Sequence, residues 1–188
     1  MNASEFYKSL ERLEKNSQQE FFGLYKDFVL SICVRYAKNN AQAEEFFKIV
    51  FAKLLNDFTF HPHPGGISID EYIKHTVIAE LVKILLTKKE FYKIVSTVTP
   101  RDVDAPILTL PDDELIPLIR SPRFLPTLQQ LPVNYRLLVN LYLCDKYDIK
   151  KIEHWLDIGE PMIRLNLDKA IHHLRKLLSE HQTSRYAQ

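Results

Sequence analysis

Apolar residues recur along this chain with the period of an α-helix. Phe6, Leu10 and Leu13 mark a short first helix. A second helix is predicted from about Phe22 to Lys38, with Tyr25, Val29, Ile32 and Tyr36 on one face. A third runs from about Ala41 to Phe58 and gathers Phe47, Val50, Phe51, Leu54 and Phe58. These intervals suit one buried stripe per helix. FHPHPGG then reads as a loop. Ser68, followed three residues later by Glu71, is a capping box that opens a helix from Ser68 to Lys89. Its apolar positions are Ile73, Val77, Leu81 and Leu85. No strand alternation is convincing, although IVSTVTP suits a local extended run.

The pattern stops between about Thr97 and Pro126. That stretch holds six prolines and the acidic knot Asp112-Asp113-Glu114. Long helices do not cross such spacing, so a linker with one short turn at its centre is expected. Helical patterning resumes near Leu125. Asp148 is placed to cap a helix from about Ile149 to Leu156 that buries Ile152, Trp155 and Leu156. Asp157 sits at a turn, where Asp tolerates a left-handed conformation. Gly159 and Pro161 then suit the start of a helix from Glu160 to about Leu178, with Ile163, Leu167, Ala170, Leu174 and Leu177 inward. The expected fold is all-α. Two small helical domains, residues 5–93 and 122–181, flank a Pro-rich acidic linker over 94–121, and the second ends in a helix-turn-helix.

Length and composition narrow the function. The chain has 188 residues and a net charge of +1, so any basic surface must be local. Cys33 and Cys144 lie in apolar helical stretches and read as buried thiols of a reducing compartment. The start has no signal layout, and TVIAELVKILL, interrupted by Glu80 and Lys83, is too short to span a bilayer. A cytoplasmic protein with no membrane partner is expected. His61-Pro-His63 lacks further ligands nearby and reads as loop, while the adjacent His172 and His173 point apart on their helix. No Gly-rich phosphate loop, nucleophile elbow or metal spacing is present. Neither catalysis, a cofactor nor a small-molecule substrate is expected.

The last helix is expected to turn Arg164, Asn166 and Lys169 outward, with His172 further on. Arg suits guanine, Asn suits adenine and Lys suits phosphate in a DNA major groove. A solvated helix face of ordinary polar residues is the plainer reading of that segment alone. The preceding run LPVNYRLLVNLYLCDKYDIKKIEHWLDI changes the picture. Leu131, Pro132, Tyr135, Arg136, Leu141, Tyr147, Ile152, Leu156, Ile158, Ile163, Leu167, Ala170 and Leu174 resemble the promoter-reading C-terminal domain of extracytoplasmic-function (ECF) sigma factors. Independently, Ala43, Glu44, Glu45, Ile49, Val50, Phe51 and Leu54 resemble the helices by which that family binds core polymerase. The resemblance covers roughly Phe22 to Leu178.

It implies a sigma-like transcription initiation factor whose partners are core RNA polymerase and promoter DNA. Glu44, Glu45, Lys48 and Phe51 would meet the polymerase. Tyr72, Lys74, His75, Lys83, Lys88 and Lys89 would approach the −10 element. Arg164, Asn166, Lys169 and His172 would read the −35 element. An anti-sigma factor clamping the domains fits the family, though no residue demands one.

The chain also departs from the family. Tyr72 and Ile73 stand where Trp-Leu is usual, Ala79 and Glu80 fall at or beside an Asn, and Lys83 and Leu86 replace an Asp and an Arg. Glu153 occupies a position that favours Ala, and Asp157 one that favours Gly. The last helix has fewer cations than the family, which predicts weak binding to DNA by this domain alone. The alternative is a sigma-fold regulator that has lost promoter melting and acts through protein–protein contact.

Overall fold

The computed structural model describes residues 15–60, 67–87 and 112–183, and every regular element among them is helical. The chain divides into two compact units, residues 1–81 and 82–188, and the division falls within a helix, Ile69–Leu86. The predicted helix through Phe6, Leu10 and Leu13, the His61-Pro-His63 loop, and Lys88 and Lys89 lie outside the described residues.

In the first unit, α1 (Lys15–Tyr36) and α2 (Asn40–Phe60) pack against each other across a break at Ala37-Lys38-Asn39. Local hydrogen bonds make the break. Asn39 Oδ1 accepts from Gln42 N at 2.9 Å, and Gln42 Oε1 accepts from Lys38 N at 2.8 Å. These satisfy donors that a helix start leaves without intrahelical partners. Helix α3 (Ile69–Leu86) opens with the expected capping box, in which Ser68 Oγ accepts from Glu71 N and Glu71 Oε2 accepts from Ser68 N, each at 3.2 Å. The core of the unit joins Val29, Ile32 and Tyr36 of α1, Phe46, Val50 and Leu54 of α2, and Ile73, Val77 and Leu81 of α3. Cys33 is buried there, and that burial pushes its thiol up to about 12, so it stays protonated at neutral pH.

In the second unit, α4 (Asp112–Arg120) occupies the acidic knot where the sequence predicted a linker with one short turn. Three acids at the head of a run are what a helix N-terminus favours. Pro117 sits inside this helix and gives up one backbone hydrogen bond there. Helix α5 (Phe124–Gln130) follows, then α6 (Val133–Val139), which widens into a π-helical turn at Asn140–Cys144. Lys146, at φ 61°, turns the chain out of it. Helices α7 (Ile149–Leu156) and α8 (Glu160–Thr183) complete the unit. Helix α8 packs on α5, α6 and α7, while the π turn meets α4 and α7.

The joint between α5 and α6 explains the Leu-Pro-x-x-Tyr-Arg run. Leu131 is buried, and Pro132 precedes the first residue of α6. The side chain of Arg136 is drawn inside, leaving the residue 4% exposed. Its Nη1 donates to Leu131 O at 2.8 Å and to Gln129 O at 3.1 Å, carbonyls at the spent end of α5. Burial pushes the guanidinium down to about 10, which still leaves it charged at neutral pH. Arg136→Ala should therefore lower the unfolding free energy by about 2–4 kcal/mol, through loss of charge-assisted bonds and of packing. Arg136→Met should recover only the packing part. Urea unfolding curves of both variants check this.

Candidate nucleic-acid interface

The joint between α7 and α8 is built by side chains close in sequence. Asp148 Oδ1 accepts from Lys151 N at 2.7 Å and caps α7 as predicted. At the other end Asp157 adopts φ 52° and ψ 43°, the left-handed conformation expected of it, and its N–H bonds to Glu153 O at 2.9 Å. Ile158 and Gly159 lead directly into α8. Gly159 has no side-chain oxygen to cap this helix. Glu153 supplies one from the preceding helix, its Oε1 accepting from Glu160 N at 3.2 Å. A small Ala at 153 would leave that donor without this partner.

Ile152 and Leu156 of α7 and Ile163, Leu167, Ala170 and Leu174 of α8 are buried as predicted. Trp155 differs, being half-buried on the flank of α7. Its ring centroid lies 4.8 Å from that of Tyr147, and Lys151 Nζ stands 5.2 Å from the centre of the Trp155 ring. Burial raises the Tyr147 phenol to about 12, with the nearby Asp145 adding to the rise.

The outward face of α8 departs from expectation at one important position. Asn166 points inward and is only 1% exposed. Its Nδ2 donates to Met162 O at 2.9 Å, and its Oδ1 accepts from Asn134 Nδ2 at 3.5 Å. Asn166 lies three residues past the buried Ile163, on the α6-facing side of α8; its amide N–H is spent on its own helix and its Oδ1 faces Asn134 of α6. Leu165 is buried too. Arg164, Lys169 and His172 do reach the surface. Arg164 is engaged: Nε and Nη2 both donate to Glu160 Oε1, at 2.7 and 2.6 Å. Lys169 and His172 line a shallow groove of about 410 Å³ with Tyr135, Asp168, Ile171, His173 and Arg175.

Helix α3 carries the residues expected near a −10 element. His75 and Lys83 are exposed and Lys74 is half-buried. Tyr72 is half-buried towards α2. Burial first, and the neighbouring Asp57 second, raise its phenol above the ordinary value, while a hydrogen bond with Thr76 lowers it. Asp57 in turn pairs with Lys53 at 2.6 Å and holds that ammonium above its usual range, with Glu80 adding to the effect. The carboxylate of Glu80 thus acts on a cation of its own unit.

On α2, Glu44, Glu45 and Lys48 are exposed on one face. Phe51 does not belong to that face: it is 5% exposed, with ring centroids of Phe21, Phe22 and Phe47 at 5.6, 5.2 and 5.2 Å. The accessible apolar residues nearby are Phe22, at 44% exposure, and Ile49, at 50%. Ile49 lies one residue from Lys48 and four from Glu45, a helical proximity readable in the sequence. Among the described residues no group of three or more His, Cys, Asp or Glu side chains could hold a metal ion, and no helix is long and apolar enough to cross a membrane.

The chain matches no protein-family model and no curated protein.

Asn166→Ala should act on stability, costing about 1–2 kcal/mol through buried polar partners left unmade. Lys169→Ala should stay within about 0.5 kcal/mol of wild type. Thermal unfolding of both variants checks the assignment, and equal effects would return Asn166 to the surface.

Proposed function

We propose that this protein is a sigma-like transcription initiation factor that binds core RNA polymerase and directs it to specific promoters. In this reading residues 5–93 form the domain that meets core polymerase and the −10 element, and residues 122–181 form a helix-turn-helix domain for the −35 element. The α7–α8 joint carries the proposal. Its left-handed Asp157, its cap at Asp148 and the buried Ile152, Leu156, Ile163, Ala170 and Leu174 are the features a helix-turn-helix needs in order to hold a second helix against DNA. The five buried residues also carry the ECF sigma resemblance, whereas Asp148 stands outside that set and Asp157 occupies a position where the family favours Gly.

The reading side of α8 is then Arg164, Lys169 and His172, without Asn166. The docking face of α2 is Glu44, Glu45 and Lys48 with Ile49, and Phe51 supports it from within. On α3, His75 and Lys83 are the accessible cationic or titratable groups for a DNA strand, with Tyr72 set back against α2. The protein positions polymerase and stabilises open DNA, and performs no bond chemistry itself.

A second reading has a specific observation in its favour. The buried Asn166 and the engaged Arg164 leave α8 few groups to read bases. A sigma-fold regulator that works by protein contact needs no more than that.

Run-off transcription with core polymerase of the source organism, on fragments of its genome, tests the two. Promoter-specific transcripts that require the protein are expected; core binding without transcripts favours the regulator, and no core binding overturns both. Arg164→Ala with Lys169→Ala should abolish −35 selectivity while core binding persists, measured by transcript profile and co-sedimentation. Charge reversal at Glu44 and Glu45 should weaken core binding by tenfold or so, a loss of about 1.4 kcal/mol; unchanged affinity would move docking to another face.

A further inference from the structure

The start of α8 carries its own competitor for nucleic acid. A guanidinium makes bidentate contacts through an edge of two N–H groups. In Arg164 the Nε/Nη2 edge is closed on one oxygen of Glu160, at 2.7 and 2.6 Å. Glu160 sits four residues earlier, the favourable order for an acid and a base along a helix. It is also the first residue of α8, and its place there is fixed by its own N–H bond to Glu153 Oε1. Two carboxylates therefore occupy the end of the helix at which phosphate oxygens are otherwise received. Both partners of the ion pair remain accessible, with 32% of the Arg164 side chain and 41% of the Glu160 side chain exposed. The pair can open without unfolding anything.

We infer that Glu160 is a specificity-determining residue that holds Arg164 away from DNA, with Glu153 as the residue that positions it, so that every contact of Arg164 with DNA carries the free energy of opening the pair. The inference rests on the reading of α8 as a DNA-facing helix and adds its regulation. A sequence-independent collision with duplex DNA must open the pair before Arg164 can meet a phosphate through this edge, and it is weakened by that amount. An encounter already anchored elsewhere needs only the small free energy of one exposed ion pair.

The experiment is a double-mutant cycle on the full chain: wild type, Glu160→Gln, Arg164→Ala and the double variant. Each is titrated against a fluorescent duplex of arbitrary sequence by anisotropy over a range of salt, and circular dichroism verifies that all four fold. Glu160→Gln should bind about two- to fivefold more tightly, the worth of an exposed pair. Its slope of log affinity against log salt should steepen by about one phosphate contact. The gain should vanish when Arg164 is also replaced. No gain, or a gain that survives Arg164→Ala, overturns the inference.

Run-off transcription on the same four proteins separates this from the function itself. Promoter-specific transcripts with wild type, and no Arg164-dependent gain in Glu160→Gln, leave the initiation factor standing and sink the competitor. An Arg164-dependent gain on duplex DNA, with transcripts from none of the four, sustains the competitor and sinks the initiation factor.

Discussion

Arg136 places a positive charge where the second unit has almost no water to offer it. Removing a guanidinium from solvent is expensive, and the structure offsets this by pointing it at the carbonyl end of α5, the electronegative end of a helix. Pro132 makes the arrangement necessary. It lacks an N–H, so the chain cannot continue the ladder at this point, and carbonyls there need another donor. Arg136 reaches back from the first turn of α6 and provides it. The orientation of α6 on α5 is thereby fixed, and α8 packs on both. Whatever α8 does at its outer surface depends on that internal bond.

The outer surface follows a different rule. Around the α7–α8 joint the chain repeatedly satisfies a helix end with a carboxylate: Asp148 for α7, Glu153 for α8, and Glu160 for the guanidinium one turn later. Each is locally stabilising. Together they set three carboxylates around the joint, each held by a hydrogen bond of its own.

Much of this was legible in the sequence, and the legible parts share a cause. Caps, breaks and buried stripes depend on residues within four positions of one another. Ser68 with Glu71, Asp148, and Asp157 with its left-handed turn all declared themselves locally. Asn166 did not, because its role depends on Asn134, thirty-two residues earlier, and an inward amide looks the same as an outward one in a list of polar residues. Phe51 was read both into the buried stripe of its helix and into the docking set, and the packed rings of Phe21, Phe22 and Phe47 put it in the stripe. The Glu160–Arg164 spacing was visible, but i,i+4 spacing alone does not say whether a guanidinium turns to the acid or to solvent. The acidic helix α4 was hidden by Pro117 within it and by the prolines around it, whose cost to a helix depends on position.

The π-helical turn at Asn140–Cys144 has one more consequence. Asp145 N bonds to Asn140 O, five residues back, and the Asn140 side chain donates to Arg136 O. The widened turn is the last of its helix. Lys146 follows it at φ 61°, and Tyr147 N bonds back to Leu141 O at 3.0 Å, so the end of the helix folds over itself. The carbonyls that a helix end leaves open are thereby used by the chain on its way out, and α7 starts afresh from Asp148.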